Sequence, residues 1–239
     1  MESNTDKTAL VTGATKGMGK AISLALAKEG HKVIACARDW NALQTLQKDI
    51  TNSYPNAEVF IQSCDFSMPS QVTELLIWLE TNSLDVDVLV NNVGLFIPGS
   101  ILDESDDMLA KHMQINLFAP HLLSVHLGRK MRANKRGHIF TISSVASRNA
   151  IATAGSYSVT KYALAGLTAV LREELKGHNV KVTEIIPGST LTASWEGTKI
   201  SKDEFVLPED IAQALIAVLS MSAGANVDEI IIKPIRGQI

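Results

Sequence analysis

Short apolar runs alternate with helix-period stretches along this 239-residue chain, and that alternation constrains the fold more than any other feature. Thr8–Thr12, Lys32–Ala37, Glu58–Ser63, Val86–Val90, Gly137–Ser143, Val180–Ile186 and Glu229–Lys233 read as strands. Each run is brief and nearly continuous, as a strand covered on both faces must be. Between them lie patterns such as Gly19–Glu29, where Ile22, Leu24, Leu26 and Ala27 spread over a broad surface. Parallel neighbours need long crossovers, and helices usually supply them. The expectation is an α/β fold: a Rossmann-type doubly wound parallel sheet of about seven strands with helices on both faces. No linker, repeat or low-complexity tract interrupts residues 1–239, which read as a single domain. The least regular stretch is Gly188–Leu207, and a loop of that length in a compact domain is usually functional.

Composition removes several function classes. The formal net charge is −3 with no long basic run, so nothing would neutralise a nucleic-acid backbone. No apolar run approaches the roughly 20 residues that a bilayer requires, and the expectation is a soluble cytoplasmic protein with no membrane partner. Cys36 and Cys64 each fall in an apolar run without a partner at metal-ligand spacing, and read as buried reduced thiols. His112, His121 and His126 offer no i, i+4 pair, so no metal site is expected.

Two motifs carry chemistry. Thr12-Gly13-Ala14-Thr15-Lys16-Gly17-Met18-Gly19 joins the first strand to the first helix. A diphosphate needs close backbone approach and a helix amino terminus, and glycines there remove the Cβ atoms that would obstruct it. Further on, Tyr157-Ser158-Val159-Thr160-Lys161 opens a helical pattern carried by Leu164, Leu167, Leu171 and Leu175. Positions four apart share a helix face, so phenol and ammonium can enter one pocket. A nearby ammonium is expected to bring the phenol below its ordinary value near ~10, making Tyr157 a usable general acid/base.

The Gly-x3-Gly-x-Gly spacing with its leading threonine resembles the short-chain dehydrogenase/reductase family, and the other motifs follow in that family's order from Thr12 to Thr192. The resemblance implies a tetrad of Asn116, Ser144, Tyr157 and Lys161. Ser144 precedes Tyr157 by thirteen positions and ends a strand, where its hydroxyl would hold the substrate oxygen. Asn116 would bend its helix and help hold a water that links the lysine to solvent. Gly13, Thr15, Lys16, Gly17, Met18 and Gly19 would cradle the diphosphate, Asp65 and Phe66 would meet the adenine, and Asn92, Val93 and Gly94 would pass the ribose. Pro187, Gly188, Thr190 and Thr192 would flank the nicotinamide, with Ser189 and Trp195 toward the substrate. Trp195 is equally readable as an ordinary packing residue.

By the family's pattern Ala37 stands where an acid would bind the 2′-hydroxyl of NAD, and Arg38 follows it. With Lys16 also basic, NADP(H) is expected over NAD(H), although both cations could be plain surface charges and Asp39 lies next door. The implied reaction is reduction of a carbonyl, with a hydride from the nicotinamide and a proton from Tyr157. The substrate stays open: Val227–Pro234, Pro187-Gly188 and Trp195 look like sepiapterin-reductase-like members acting on a pterin side-chain diketone, while 3-oxoacyl-carrier-protein reductases share most motifs. A catalytically silent NADPH-binding redox sensor is the reading from another class. A homodimer or homotetramer is expected by analogy, with Leu117, Leu122, Leu123 and Leu127 offering apolar surface.

Overall fold

The computed structural model describes residues 7–238. Within it β1 (Thr8–Thr12), β2 (Lys32–Ala37), β3 (Val59–Ser63), β4 (Val88–Asn91), β5 (Gly137–Ile142), β6 (Val180–Pro187) and β7 (Glu229–Ile232) form one sheet. Every pairing is parallel, and the order is β3-β2-β1-β4-β5-β6-β7. The doubly wound single sheet expected from the alternation is therefore present, with strand limits moved by one or two residues. Because β1 pairs with both β2 and β4, the winding reverses there and a crevice opens beyond the carboxyl ends of these strands.

Successive strand residues face opposite sides, and each side builds its own core. Ala9, Val11, Val33 and Ala35 pack beneath α1 (Gly17–Lys28), α2 (Trp40–Ser53) and α7 (Pro208–Leu219). Leu10, Ile34 and Leu89 pack beneath α3 (Pro69–Thr81), α5 (Ala119–Asn134) and α6 (Gly155–Leu175). Leu123 and Leu127 belong to this second core and are buried against the sheet, which corrects the expectation that they offer surface to another subunit. Among the exposed apolar residues on this side are Phe118, Val159, Tyr162 and Val170, by a shallow groove lined by Leu117, Phe118, His121, Ala163 and Leu167.

Cys36 lies in β2, whereas Cys64 falls just past β3; both are buried free thiols, and burial pushes Cys64 up to about 12. The Gly188–Leu207 stretch contains only two single turns, Ala193–Trp195 and Lys202–Glu204, and a bridge between Thr190 and Val206 ties its ends together. No helix among the described residues is long and apolar enough to cross a membrane.

One buried titratable group in this scaffold makes its stability depend on pH. His138 on β5 stacks on Phe140 and meets the Thr183 hydroxyl at 2.8 Å. That hydroxyl donates its single proton to the Val227 carbonyl, so it accepts from His138 Nε2–H. Burial lowers the imidazole to about 3. Above the unfolded value near ~6.5 both states are neutral and pH has no effect; below it only the unfolded chain gains a proton, and stability falls until about pH 3. In urea titrations, His138→Gln is expected to flatten the loss of unfolding free energy between these limits by up to about 1.4 kcal/mol per pH unit.

Candidate active site

The crevice at the winding reversal begins with a glycine cradle. Gly13 and Gly17 adopt φ of +64° and +49°, which side chains strongly disfavour. At Gly19 the constraint is space: a Cβ would sit 2.1 Å from the Gly13 carbonyl oxygen and 2.6 Å from Asn92 Nδ2. No side chain caps α1, so its first amides have no partner from a capping side chain. The floor is stitched across β1 and β4 by one hydroxyl. Thr12 Oγ1 donates to the Val90 carbonyl and accepts from the amides of Asn92 and Val93, each at 3.0–3.1 Å. The Asn92 amide donates to the carbonyls of Thr12 and Gly13 at 2.8 and 3.2 Å, so its side chain shapes the cradle. Val93 packs toward the α3/α5 core, which relieves the crowding that valine would bring at this place.

Cation placement follows from the end of β2. Arg38 and Lys16 are both exposed, and neither takes part in an ion pair among the described residues. Asp39 instead caps α2, its Oδ1 accepting from the Ala42 amide at 3.1 Å, and is thereby drawn away from the crevice. Asp65 is held below the usual carboxylate range first by the Ser67 hydroxyl, then by the Ser67 amide, with help from Arg38. Phe66 turns its ring into the core and leaves only backbone toward the crevice. Across the opening, the Thr192 side chain lies 3.1 Å from where a Gly17 Cβ would be, so the loop after β6 closes over the cradle.

Asn116, Ser144, Tyr157 and Lys161 converge beside this cradle. Asn116 sits in a π-helical turn, Gln114–Phe118, between α4 (Met108–Met113) and α5. Its side chain is fully occupied: Oδ1 accepts from the Leu95 amide at 2.7 Å, and Nδ2 donates to the Leu95 carbonyl and Thr160 hydroxyl, both at 3.0 Å. The asparagine therefore locks the Asn92–Leu95 segment to α6, and a Cβ on Gly94 would reach 3.9 Å from Lys161 Nζ. Ser144 caps a single turn over Val145–Ser147 by accepting from the Ala146 amide, and its hydroxyl acts on Tyr157 to lower the phenol. Phe96 stands edge-on to the Tyr157 ring at 4.9 Å.

The electrostatics correct one expectation. Lys161 does not lower the phenol: burial raises Tyr157, and the Ser144 hydroxyl only partly offsets this. The reason is geometric. Lys161 Nζ lies over the ring, 5.6 Å from its centroid, and donates to the Ile142 carbonyl at 3.1 Å. Burial lowers the lysine itself to about 8, against an opposing pull from Glu184. Tyr157 is thus held as a proton donor, with a titratable amine behind it.

The sequence of residues 7–203 matches the model for the short chain dehydrogenase family. The chain belongs to that family. It is 36% identical over 207 residues, 84% of its length, to a very-long-chain 3-oxoacyl-CoA reductase of Caenorhabditis briggsae, and the match spans 64% of that relative. It is 30% identical, over 98% of both chains, to a dehydrogenase/reductase family member of Bos taurus. Its structure superposes on a metagenomic short-chain oxidoreductase crystallised with NADP at a TM-score of 0.84 and 30% identity, covering 97% of this chain and 99% of that one. This oxidoreductase is accordingly an enzyme of an NAD(P)-dependent family.

Three further side chains have partners within the fold. Trp195 packs edge-on to Phe205 at 5.0 Å, the arrangement of a packing residue. Ser189 is bound by Gln238, which accepts from its amide at 2.9 Å and its hydroxyl at 3.0 Å. His112 is buried beside the site, 6.3 Å from the Tyr157 ring, accepting from the Ile97 amide. Ser189 and Trp195 lie in the stretch that the sequence already marks, whereas Gln238 as the partner of Ser189 and the place of His112 beside Tyr157 come only from the tertiary fold.

Gly19→Ala tests the cradle directly. Overpacking of this kind costs roughly 1–3 kcal/mol. The expected result is a lowered melting temperature and loss of saturable nucleotide binding, read by quenching of protein fluorescence.

Proposed function

We propose that this oxidoreductase reduces a small-molecule carbonyl with NADPH, Tyr157 donating the proton. The observation that carries the reading is the convergence of Ser144, Tyr157, Lys161 and Asn116 beside a glycine cradle that only a closely approaching backbone ligand can use. The cradle fits a dinucleotide on its own geometry: Gly13, Gly17 and Gly19 clear the path, and Thr15, Lys16 and Met18 flank the uncapped start of α1. Arg38 with Lys16 would take a 2′-phosphate, Asp65 and the Phe66 backbone the adenine, and Asn92, Val93 and Gly94 the ribose. Pro187, Gly188, Thr190 and Thr192 would flank the nicotinamide. When bound, the nicotinamide supplies the hydride.

The chain's own residues do the rest. Ser144, whose hydroxyl acts on the Tyr157 phenol, would orient a carbonyl oxygen against it. A phenol raised by burial keeps its proton until charge develops on that oxygen, which is what a general acid requires. Lys161, at about 8, is the group placed to replace the lost proton. Asn116 fixes the helix turn behind it. The exposed face of Phe96 offers apolar surface next to the reacting hydroxyl. A 3-oxoacyl thioester, the substrate class named for the Caenorhabditis briggsae relative, suits this surface, as does a pterin side-chain diketone. A second copy of the chain is the proposed partner for Phe118, Val159, Tyr162 and Val170, giving a homodimer or homotetramer.

NADPH oxidation should be followed against a panel of 3-oxoacyl thioesters, ketones and pterins. Tyr157→Phe is expected to lose about 10²–10⁴-fold in kcat/KM while retaining NADPH binding; binding without turnover on any member by the unaltered chain would instead fit a silent sensor. Arg38→Ala should weaken NADPH about tenfold, as for one lost charge-assisted hydrogen bond, and leave NADH unchanged. Since kcat/KM reports groups of the free enzyme, it should fall as pH rises through about 8, where Lys161 loses its proton.

A further inference from the structure

A carboxylate that the proposed chemistry does not use lies beneath the catalytic helix. Glu184 is on β6, between β5 and the edge strand β7, and only 1% exposed. It pairs in register with Thr141 of β5, so the two side chains project from the same face. That face is the one α6 covers, because the Thr141 hydroxyl accepts from Thr168 of α6 at 3.1 Å. The next residue along β5 is Ile142, whose carbonyl holds Lys161 Nζ. Glu184 is therefore aimed at the underside of the segment that seats the lysine.

Its partners do not account for its burial. Arg148, just past the turn that begins at Ser144, reaches Glu184 Oε2 at 2.8 Å and Glu229 of β7 at 2.7 Å. Glu229 is partly open to solvent and can hold the guanidinium there without a buried charge. Glu184 Oε1 has no hydrogen-bond donor among the described residues although it is buried. Taking a carboxylate out of water and leaving one oxygen unsatisfied is costly, and an apolar pair of similar volume would fasten the same segment with less penalty. A second group must gain from the negative charge. Lys161 is the cation that does, since Glu184 opposes the effect of burial on its ammonium.

We propose that Glu184 is a positioning residue whose buried carboxylate keeps the Lys161 ammonium charged on the Ile142 carbonyl, while Arg148 fixes that carboxylate and the Ser144 turn in one piece. The other ionisable groups around the lysine are Tyr157 on the same helix, Arg148 after β5, Glu229 on β7 and His112 on α4. Of these, Tyr157 is a protonated phenol, Arg148 is already paired, and Glu229 lies beyond Arg148 at the surface. Glu184 is the carboxylate in that group with the lysine on its own side of the sheet.

The inference rests on Lys161 serving the proton transfer proposed above, and its test is separable from that reading. The full-length protein labelled with 13Cε-lysine would be titrated by NMR without substrate, with Lys161→Arg assigning the resonance. In Glu184→Gln the Lys161 titration should move down by roughly one pH unit, and the alkaline limb of kcat/KM should move with it. Glu229→Gln should leave the titration where it is in the wild type. A folded Glu184→Gln with an unmoved Lys161 titration overturns the proposal. Should that variant fail to fold, the apolar variant Glu184→Met, in which Arg148 keeps Glu229 as its partner, decides the matter by the same titration: a downward shift supports the proposal and an unmoved one overturns it. Absence of turnover on every carbonyl would count against the proposed reaction, while the substrate-free titration would still judge Glu184.

Discussion

The hydrogen bond from Lys161 Nζ to the Ile142 carbonyl is the constraint around which this site is organised. A buried ammonium must be held by oxygen atoms or give up its proton. Meeting that need ties α6 to the end of β5 and so fixes where Tyr157, one turn earlier, presents its hydroxyl. Ser144 leaves β5 two residues after that carbonyl, and its hydroxyl lowers the phenol against the effect of burial. The phenol and the serine hydroxyl are thus positioned from the same strand end.

The second half of the site depends on the winding reversal between β1 and β4. Thr12 joins the two strands through its hydroxyl, and the Asn92 amide then supports the glycine turn from below. Asn116 binds the following segment to α6. The cradle and the Tyr157 helix are consequently linked by hydrogen bonds from Thr12 to Asn92 and Val93 and from Leu95 through Asn116 to Thr160, with the Gly94 backbone joining the two sets. A substitution at Thr12 or Asn116 would disturb both halves without touching a substrate.

Much of this was legible in the sequence. The strands are brief apolar runs with little ambiguity of period, and the doubly wound sheet follows from their alternation with helices. Tyr157 and Lys161 are readable because four residues of helix place them together whatever surrounds them. Long-range consequences were not readable. The raised phenol at Tyr157 depends on where Lys161 Nζ ends up, which the i, i+4 spacing leaves open. Leu123 and Leu127 carry the same pattern whether they face a sheet or another subunit. Asp39, next to Arg38, reads as a rival for the ribose until its cap on α2 is seen. Glu184 and Gln238 reach the site only through strand register and the path of the carboxyl-terminal segment.

The central claim is that hydride and proton meet at one carbonyl held by Ser144 and Tyr157. The most direct measurement is isotope transfer: the enzyme is supplied with NADPH carrying deuterium at one face of the nicotinamide C4, and the alcohol product is analysed by NMR and mass spectrometry. The account predicts one deuterium at the carbinol carbon from one of the two C4-labelled cofactors and none from the other. Deuterium lost to solvent, or alcohol formed without label from either, would contradict it.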